Sequence, residues 1–210
     1  MWVSHLDRMR SMERALLRAD FPLTYSKGFN PRPQMVFALP SSLGIRSESE
    51  YIDISLSEKG PAEQLLSRLE DQLPEGISLM DYRERDPEDA KNLMGQVYEA
   101  DYVFSNPGLS EKIEKLLVCP ELIIEKMSKK RLKDEDIRPL ILSSEVLDAD
   151  RTRLRVLAGS RANLRPDTLL QALEKYLAYA EAQSVDVLRE ELWIKEREDG
   201  PLIRPMETND

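Results

Sequence analysis

The chain holds one cysteine, Cys119, and one histidine, His5, among 210 residues. A single thiol excludes an internal disulfide framework, and a single imidazole beside it leaves no Cys/His set for a structural metal. An iron–sulfur cluster needs several cysteine thiolates, so this chain cannot assemble one by itself. Cys119 lies in the apolar run Leu116-Leu117-Val118-Cys119-Pro120, which reads as a buried structural thiol. No apolar run approaches the roughly 20 residues that span a bilayer. The start, Met1-Trp2-Val3-Ser4-His5-Leu6-Asp7, lacks the basic-then-apolar order of a secretory signal. The expected setting is the cytoplasm, with no membrane partner. Glycine-rich phosphate signatures such as G-x-x-x-x-G-K are also absent.

What is present is charge: 33% of residues are charged and the net charge is −9, against 41% apolar residues, enough for a packed core. An acidic total argues against general nucleic-acid stickiness. The charge is uneven, however. Residues 1–46 hold seven Lys/Arg and three Asp/Glu, so that segment carries +4 and the rest carries −13. A local basic surface on an acidic body suits a specific polyanion.

Ser4 with Asp7 three residues on resembles a capping box, with Asp in place of Glu. A helix should start there and stop before Phe21-Pro22. Leu6, Met9, Met12, Leu16 and Leu17 fall at helical spacing, and Arg10, Arg14 and Arg18 form a basic stripe four apart. Residues 34–39 and 51–56 read as strands, the second by alternation. Gly60-Pro61 opens a helix over 62–73, and 77–83 reads as a third strand. An acidic connection with a short helical piece at 92–97 leads to a strand at 100–105, a helix at 110–118 and a strand at 121–127. Lys129-Lys130-Arg131 reads as a loop. Residues 138–147 and 153–157 form a hairpin pair around Asp148-Ala149-Asp150. A helix follows from Pro166 to about 180, then a strand at 185–195.

This order predicts an α+β protein of two tandem ferredoxin-like βαββαβ units. The first, residues 1–84, lacks its opening strand. A connection occupies 85–97, the second unit 98–198, and a flexible tail 199–210.

The densest local signal is Lys27-Gly28-Phe29-Asn30-Pro31-Arg32-Pro33. Two prolines, a glycine and an asparagine fix a loop and display its side chains at low entropic cost. Arg32 suits bidentate contact with phosphate or carboxylate, and Phe29 suits stacking on a base, or else plugs the core. Asp136-Ile137-Arg138-Pro139 and Asn163-Leu164-Arg165-Pro166 each set Arg before Pro at the edge of an element. The second sits at a helix N-terminus, where backbone N–H groups favour an anion. His5 is the one candidate general base.

Taken together, these stretches, with Phe37-Ala38-Leu39-Pro40, Leu43-Gly44 and Gly159-Ser160, resemble a bacterial family of radical SAM-associated proteins. Such proteins are fused to, or made beside, a large radical SAM protein that often carries a cobalamin-binding-like region. The family pattern has a strand before the Ser-His-Leu-Asp stretch, and this chain lacks it. The resemblance implies a radical SAM partner that carries the iron–sulfur cluster and S-adenosylmethionine, with no cofactor bound by this chain. It implies no catalytic residue. It raises the weight on His5, Asp7, Lys27, Gly28, Phe29, Asn30, Arg32, Asp136, Arg138, Asn163 and Arg165 as a shared binding surface.

Three functions follow as expectations. The first is a non-catalytic accessory domain that recognises the partner protein, an RNA-type substrate, or both. The second is a metal-independent RNA-processing enzyme with His5 as base and Lys27 or Arg32 stabilising the phosphorane, by analogy with the CRISPR repeat-processing endoribonucleases. The third is a structural interaction module, which would have Arg138 and Arg165 paired with carboxylates and Phe29 buried.

Overall fold

Helix α1, His5–Arg18, begins where the sequence directs. The Ser4 hydroxyl accepts from the Asp7 backbone N–H at 3.2 Å and donates to the Asp7 carboxylate at 2.7 Å. The helix stops before Phe21, with Asp20 turned to positive φ. The computed structural model describes residues 4–85, 92–128 and 131–207. It is α+β, as the sequence predicts.

The first half continues with β1 (Met35–Phe37), β2 (Arg46–Ser47), β3 (Ile52–Ile54) and α2 (Ala62–Glu70). Strands β1 and β3 pair antiparallel, Val36 opposite Asp53. Helices α1 and α2 cover a small core of Ala15, Leu16, Ala19, Leu23 and Leu69. The strand expected over 77–83 does not form. Its residues find no neighbouring strand, and Met80 and Tyr82 stay exposed; an apolar segment without a partner ladder does not hold a strand.

The second half comprises α3 (Leu93–Gln96), β4 (Val97–Ser105), α4 (Leu109–Leu117), β5 (Ile123–Ser128), β6 (Arg131–Asp136), β7 (Ile141–Val146), β8 (Arg151–Leu157), α5 (Pro166–Leu177) and β9 (Asp186–Ile194). Its sheet runs β2-β9-β4-β8-β7. The four strands from this half pair with one another antiparallel. Helices α4 and α5 pack on one face against Ala100, Tyr102, Phe104, Leu154, Val156, Leu192 and Ile194. Alternation along β8 explains this: Thr152, Leu154 and Val156 point in, and Arg151, Arg153 and Arg155 point out.

Strands β5 and β6 form a separate hairpin between α4 and β7. Residues 129 and 130 of the expected basic loop lie outside the described residues, and Arg131 opens β6 instead of ending a loop. The β7–β8 turn forms where expected, with the Asp148 carboxylate accepting from the N–H groups of Asp150 and Arg151, both at 2.9 Å.

A strand pairing links the halves. Strand β2 lies parallel to β9, Arg46 opposite Leu188. Beyond Glu198, Ile203 exchanges backbone hydrogen bonds with Ile194 at 2.9 and 3.1 Å, so part of the 199–210 segment lies against the sheet. The outer sheet face carries ions: the Arg155 guanidinium grips Asp101 through two hydrogen bonds of 2.8 Å and lies 4.4 Å over the Trp193 ring, whose N–H also donates to Asp101.

Candidate functional site: the Lys27–Arg32 loop

The loop is the tip of a braced β-ribbon. Tyr25 bridges Pro33, and Leu23 bridges Leu56. Backbone bonds tie three segments in a ring: Gln34 N–H to the Thr24 carbonyl at 2.8 Å, Thr24 N–H to that of Ser55 at 2.9 Å, and Ser55 N–H to that of Gln34 at 3.0 Å. The neck closes once more at Ser26 and Arg32. The Ser26 N–H donates to the Arg32 carbonyl at 2.8 Å, and the Arg32 N–H donates to the Ser26 hydroxyl at 3.0 Å. Gly28, at φ 140°, makes the reversal inside the neck.

Closure at the neck turns the side chains outward. Lys27, Asn30 and Arg32 are exposed, and Phe29 is as open to solvent as an isolated side chain, at 106%. Phe29 therefore does not plug the core. Among the described residues neither Lys27 nor Arg32 forms an ion pair. The tip thus offers one uncovered aromatic face and two unneutralised cations on a fixed frame.

The other residues singled out in the sequence have local duties. Asp7 caps α1 and lies 3.7 Å from Arg10. Asp136 accepts from the N–H groups of Leu122 at 2.8 Å and Arg138 at 3.0 Å, closing the base of the β5–β6 hairpin. The Arg138 guanidinium donates to the carbonyls of Leu117 and Ile141, so it caps the end of α4. Arg165 precedes α5 and bonds Asp167 in the first turn of that helix, which neutralises the cation expected to await an anion. Asn163 is half-buried just before it. None of these contacts draws Asp136, Arg138 or Arg165 to the 26–32 loop.

His5 stands edge-on to Phe37, with ring centroids 5.2 Å apart. Burial and the neighbouring Arg8 charge hold its pKa below the ordinary value, and Glu50 opposes them. An imidazole harder to protonate when folded means that the unfolded chain binds more protons as pH falls. The stability carried by neutral His5 is fully present above the ordinary pKa of about 6.5 and declines below it. Between about pH 7.5 and 5.5, the unfolding free energy of His5→Gln should therefore fall less than that of the unsubstituted chain. Equal falls in urea titrations at the two pH values would remove His5 as the source.

Beside His5 lies a network the sequence reading missed. Arg189 is wholly buried and donates to the carbonyls of Leu39 (2.7 Å) and Ser49 (3.2 Å) and to the Ser47 hydroxyl (3.2 Å). It also pairs with Glu50 at 2.8 Å. Glu50 takes Arg8 at 3.3 Å as well, and the Ser41 hydroxyl. The available signal was an arginine at an inward position of β9, between Val187 and Leu192.

Residues 1–166 match the model of a family described as "Uncharacterized protein conserved in bacteria (DUF2344)". The matched stretch contains α1, the 26–32 loop, the β5–β6 hairpin and the first residue of α5. No curated protein matches the chain.

Proposed function

We propose that this chain, which belongs to the bacterial DUF2344 family, is a non-catalytic accessory domain that presents the 26–32 loop to a macromolecular partner. The observation that carries this reading is Phe29, fully exposed between Lys27 and Arg32 on a neck closed by hydrogen bonds. A bare aromatic on a rigid tip has little ordering entropy left to lose on binding. Aromatic and arginine side chains of this kind dominate binding energies at interfaces. The same pair of groups stacks on, and neutralises, single-stranded RNA.

The resemblance carried by the sequence motifs nominates a radical SAM protein as the partner, and the basic stripe of α1 with Phe29 suits an RNA-type substrate. In that system the partner supplies the iron–sulfur cluster and S-adenosylmethionine, since Cys119 is one thiol and a cluster needs several. A ferredoxin-like reading of the second half is supported by the strand order β9-β4-β8-β7 with α4 and α5 on one face. A related, partial unit in the first half would make the chain a tandem.

The test is affinity purification at native expression, identifying both protein and RNA. The variant Lys27→Glu/Phe29→Ala/Arg32→Glu should lose its partner by about tenfold or more while its circular dichroism and melting temperature stay unchanged. A variant that recovers the same partner in the same amount would sink the assignment of the loop. Recovery of RNA without a radical SAM protein would retain the loop and discard the partner.

A further inference from the structure

The five-stranded sheet ends differently on its two sides. Its order, β2-β9-β4-β8-β7, leaves β2 and β7 as the edges among the described residues. Strand β2 has two residues, too few to template another strand. Strand β7 has six, and every residue from Leu142 to Val146 is exposed. That run holds no lysine and no proline, the residues that commonly blunt a long edge. Its one charged residue, Glu145, is already met by Arg153 at 2.5 Å.

The turn into β8 sets which backbone groups are free. The Leu147 N–H donates to the Arg151 carbonyl at 2.9 Å. Amide direction alternates along an antiparallel strand, so Glu145 and Ser143 also turn their N–H and C=O groups toward β8, opposite Arg153 and Arg155. Ser144 and Val146 turn theirs to the open edge. Their side chains lie opposite Leu154 and Thr152, which point to the helix face, and Leu142 continues that face by alternation. Leu142 and Val146 are 44% and 46% exposed. The Arg138 guanidinium ties the Leu117 carbonyl to that of Ile141, which brings the end of α4, with Val118 exposed, to the start of β7.

The stretch Leu142-Ser143-Ser144-Glu145-Val146 has the same pattern in both directions, apolar at the ends and polar between. Laid antiparallel on a second copy with Ser144 opposite Ser144, it is complementary to itself. The two Ser144 residues exchange backbone hydrogen bonds. Leu142 faces Val146 on each side of the two-fold axis, and Glu145 faces Ser143. Opposed residues share one amide direction, so the nearest alternative registers are a whole pair away. Centring on Glu145 sets two carboxylates face to face, which is destabilising. Centring on Ser143 carries Val146 past Ile141, where the facing strand begins.

We propose that β7 is a homodimer interface, in which two copies of this chain pair antiparallel through Leu142–Val146 about Ser144 and join two five-stranded sheets into one. A two-fold interface uses the same patch on both partners, and this register satisfies that condition without a like-charge contact. The contact is short and belongs with the small, transient interfaces, so its occupancy follows concentration. It uses no residue of the 26–32 loop and goes beyond the role proposed for that loop.

Sedimentation equilibrium of the full chain from about 1 to 300 μM, where weak pairing is read, should show a reversible monomer–dimer equilibrium. Ser144→Pro is the edge-specific variant. The Ser144 N–H faces away from β8, so proline is tolerated there. Circular dichroism and melting temperature should stay unchanged while pairing weakens by about tenfold or more. Charge reads the register. Leu142→Glu and Val146→Lys should each weaken pairing, whereas the double variant sets Glu opposite Lys on both sides of the axis and should pair more tightly than either alone. A chain that stays monomeric throughout overturns the proposal, as does a Ser144→Pro variant that dimerises as tightly as the unsubstituted chain. A double variant no tighter than the single ones overturns the pairing about Ser144. Phe29→Ala should dimerise unchanged, so failure of the loop and failure of the edge give different results.

Discussion

Replacing Arg189 with Met should lower the unfolding free energy by about 3–5 kcal/mol, the usual cost of breaking a buried ion pair from one side. Methionine fills much of the same volume, so the loss reports the polar contacts and not a cavity. Three acceptors, the carbonyls of Leu39 and Ser49 and the Ser47 hydroxyl, lose their donor. Glu50 keeps only Arg8 and Ser41. Residues 39–50 then keep only the β2–β9 backbone pairing and the Arg46–Asp186 ion pair as ties to β9. Urea unfolding followed by far-ultraviolet circular dichroism measures the effect. Removing the orphaned acid too, in Arg189→Met with Glu50→Gln, should recover part of the loss. A single substitution costing under about 1 kcal/mol would show that the network is solvated and not structural.

The second large effect is expected at Asp101, which is 5% exposed. Asp101→Ala strands the Arg155 guanidinium and the Trp193 N–H together. The Arg155 side chain is 34% exposed, so water recovers part of its solvation, and we expect a loss of about 2–3 kcal/mol rather than the full cost of a buried charge. Trp193 emission, recorded in a Trp2→Phe background, should shift to the red as its ring loses both partners. An unshifted spectrum with unchanged stability would mean that the cation over the ring holds without the carboxylate.

Much of the fold was written locally. The Ser4–Asp7 cap, Pro166 at the start of α5, the Asp148–Asp150 turn and the alternation of β8 each act within a few residues, and each element formed. What escaped were features set by distant partners. Two residues at 46–47 carry no periodic signal, yet β9 makes them a strand. Residues 77–83 read as a strand from their own composition, but no ladder lies beside them. The site divides along the same line. Proline and glycine made the 26–32 loop legible because they act on their own backbone. Asp136 and Arg138 looked available in the sequence, and nearby N–H and carbonyl groups claim them instead. Arg189 was silent because its importance lies in what surrounds it.

The pairing of β2 with β9 also bears on the timing of folding. Ser47 and Arg189 are 142 positions apart, so as the chain leaves the ribosome the first half waits until β9 has been made. Until β9 is made, Arg8, Glu50 and Ser41 keep water in place of the guanidinium that completes them. Contacts closed over such a span are slow to form. The strand that finishes the first half is thus made 142 positions after the segment it completes.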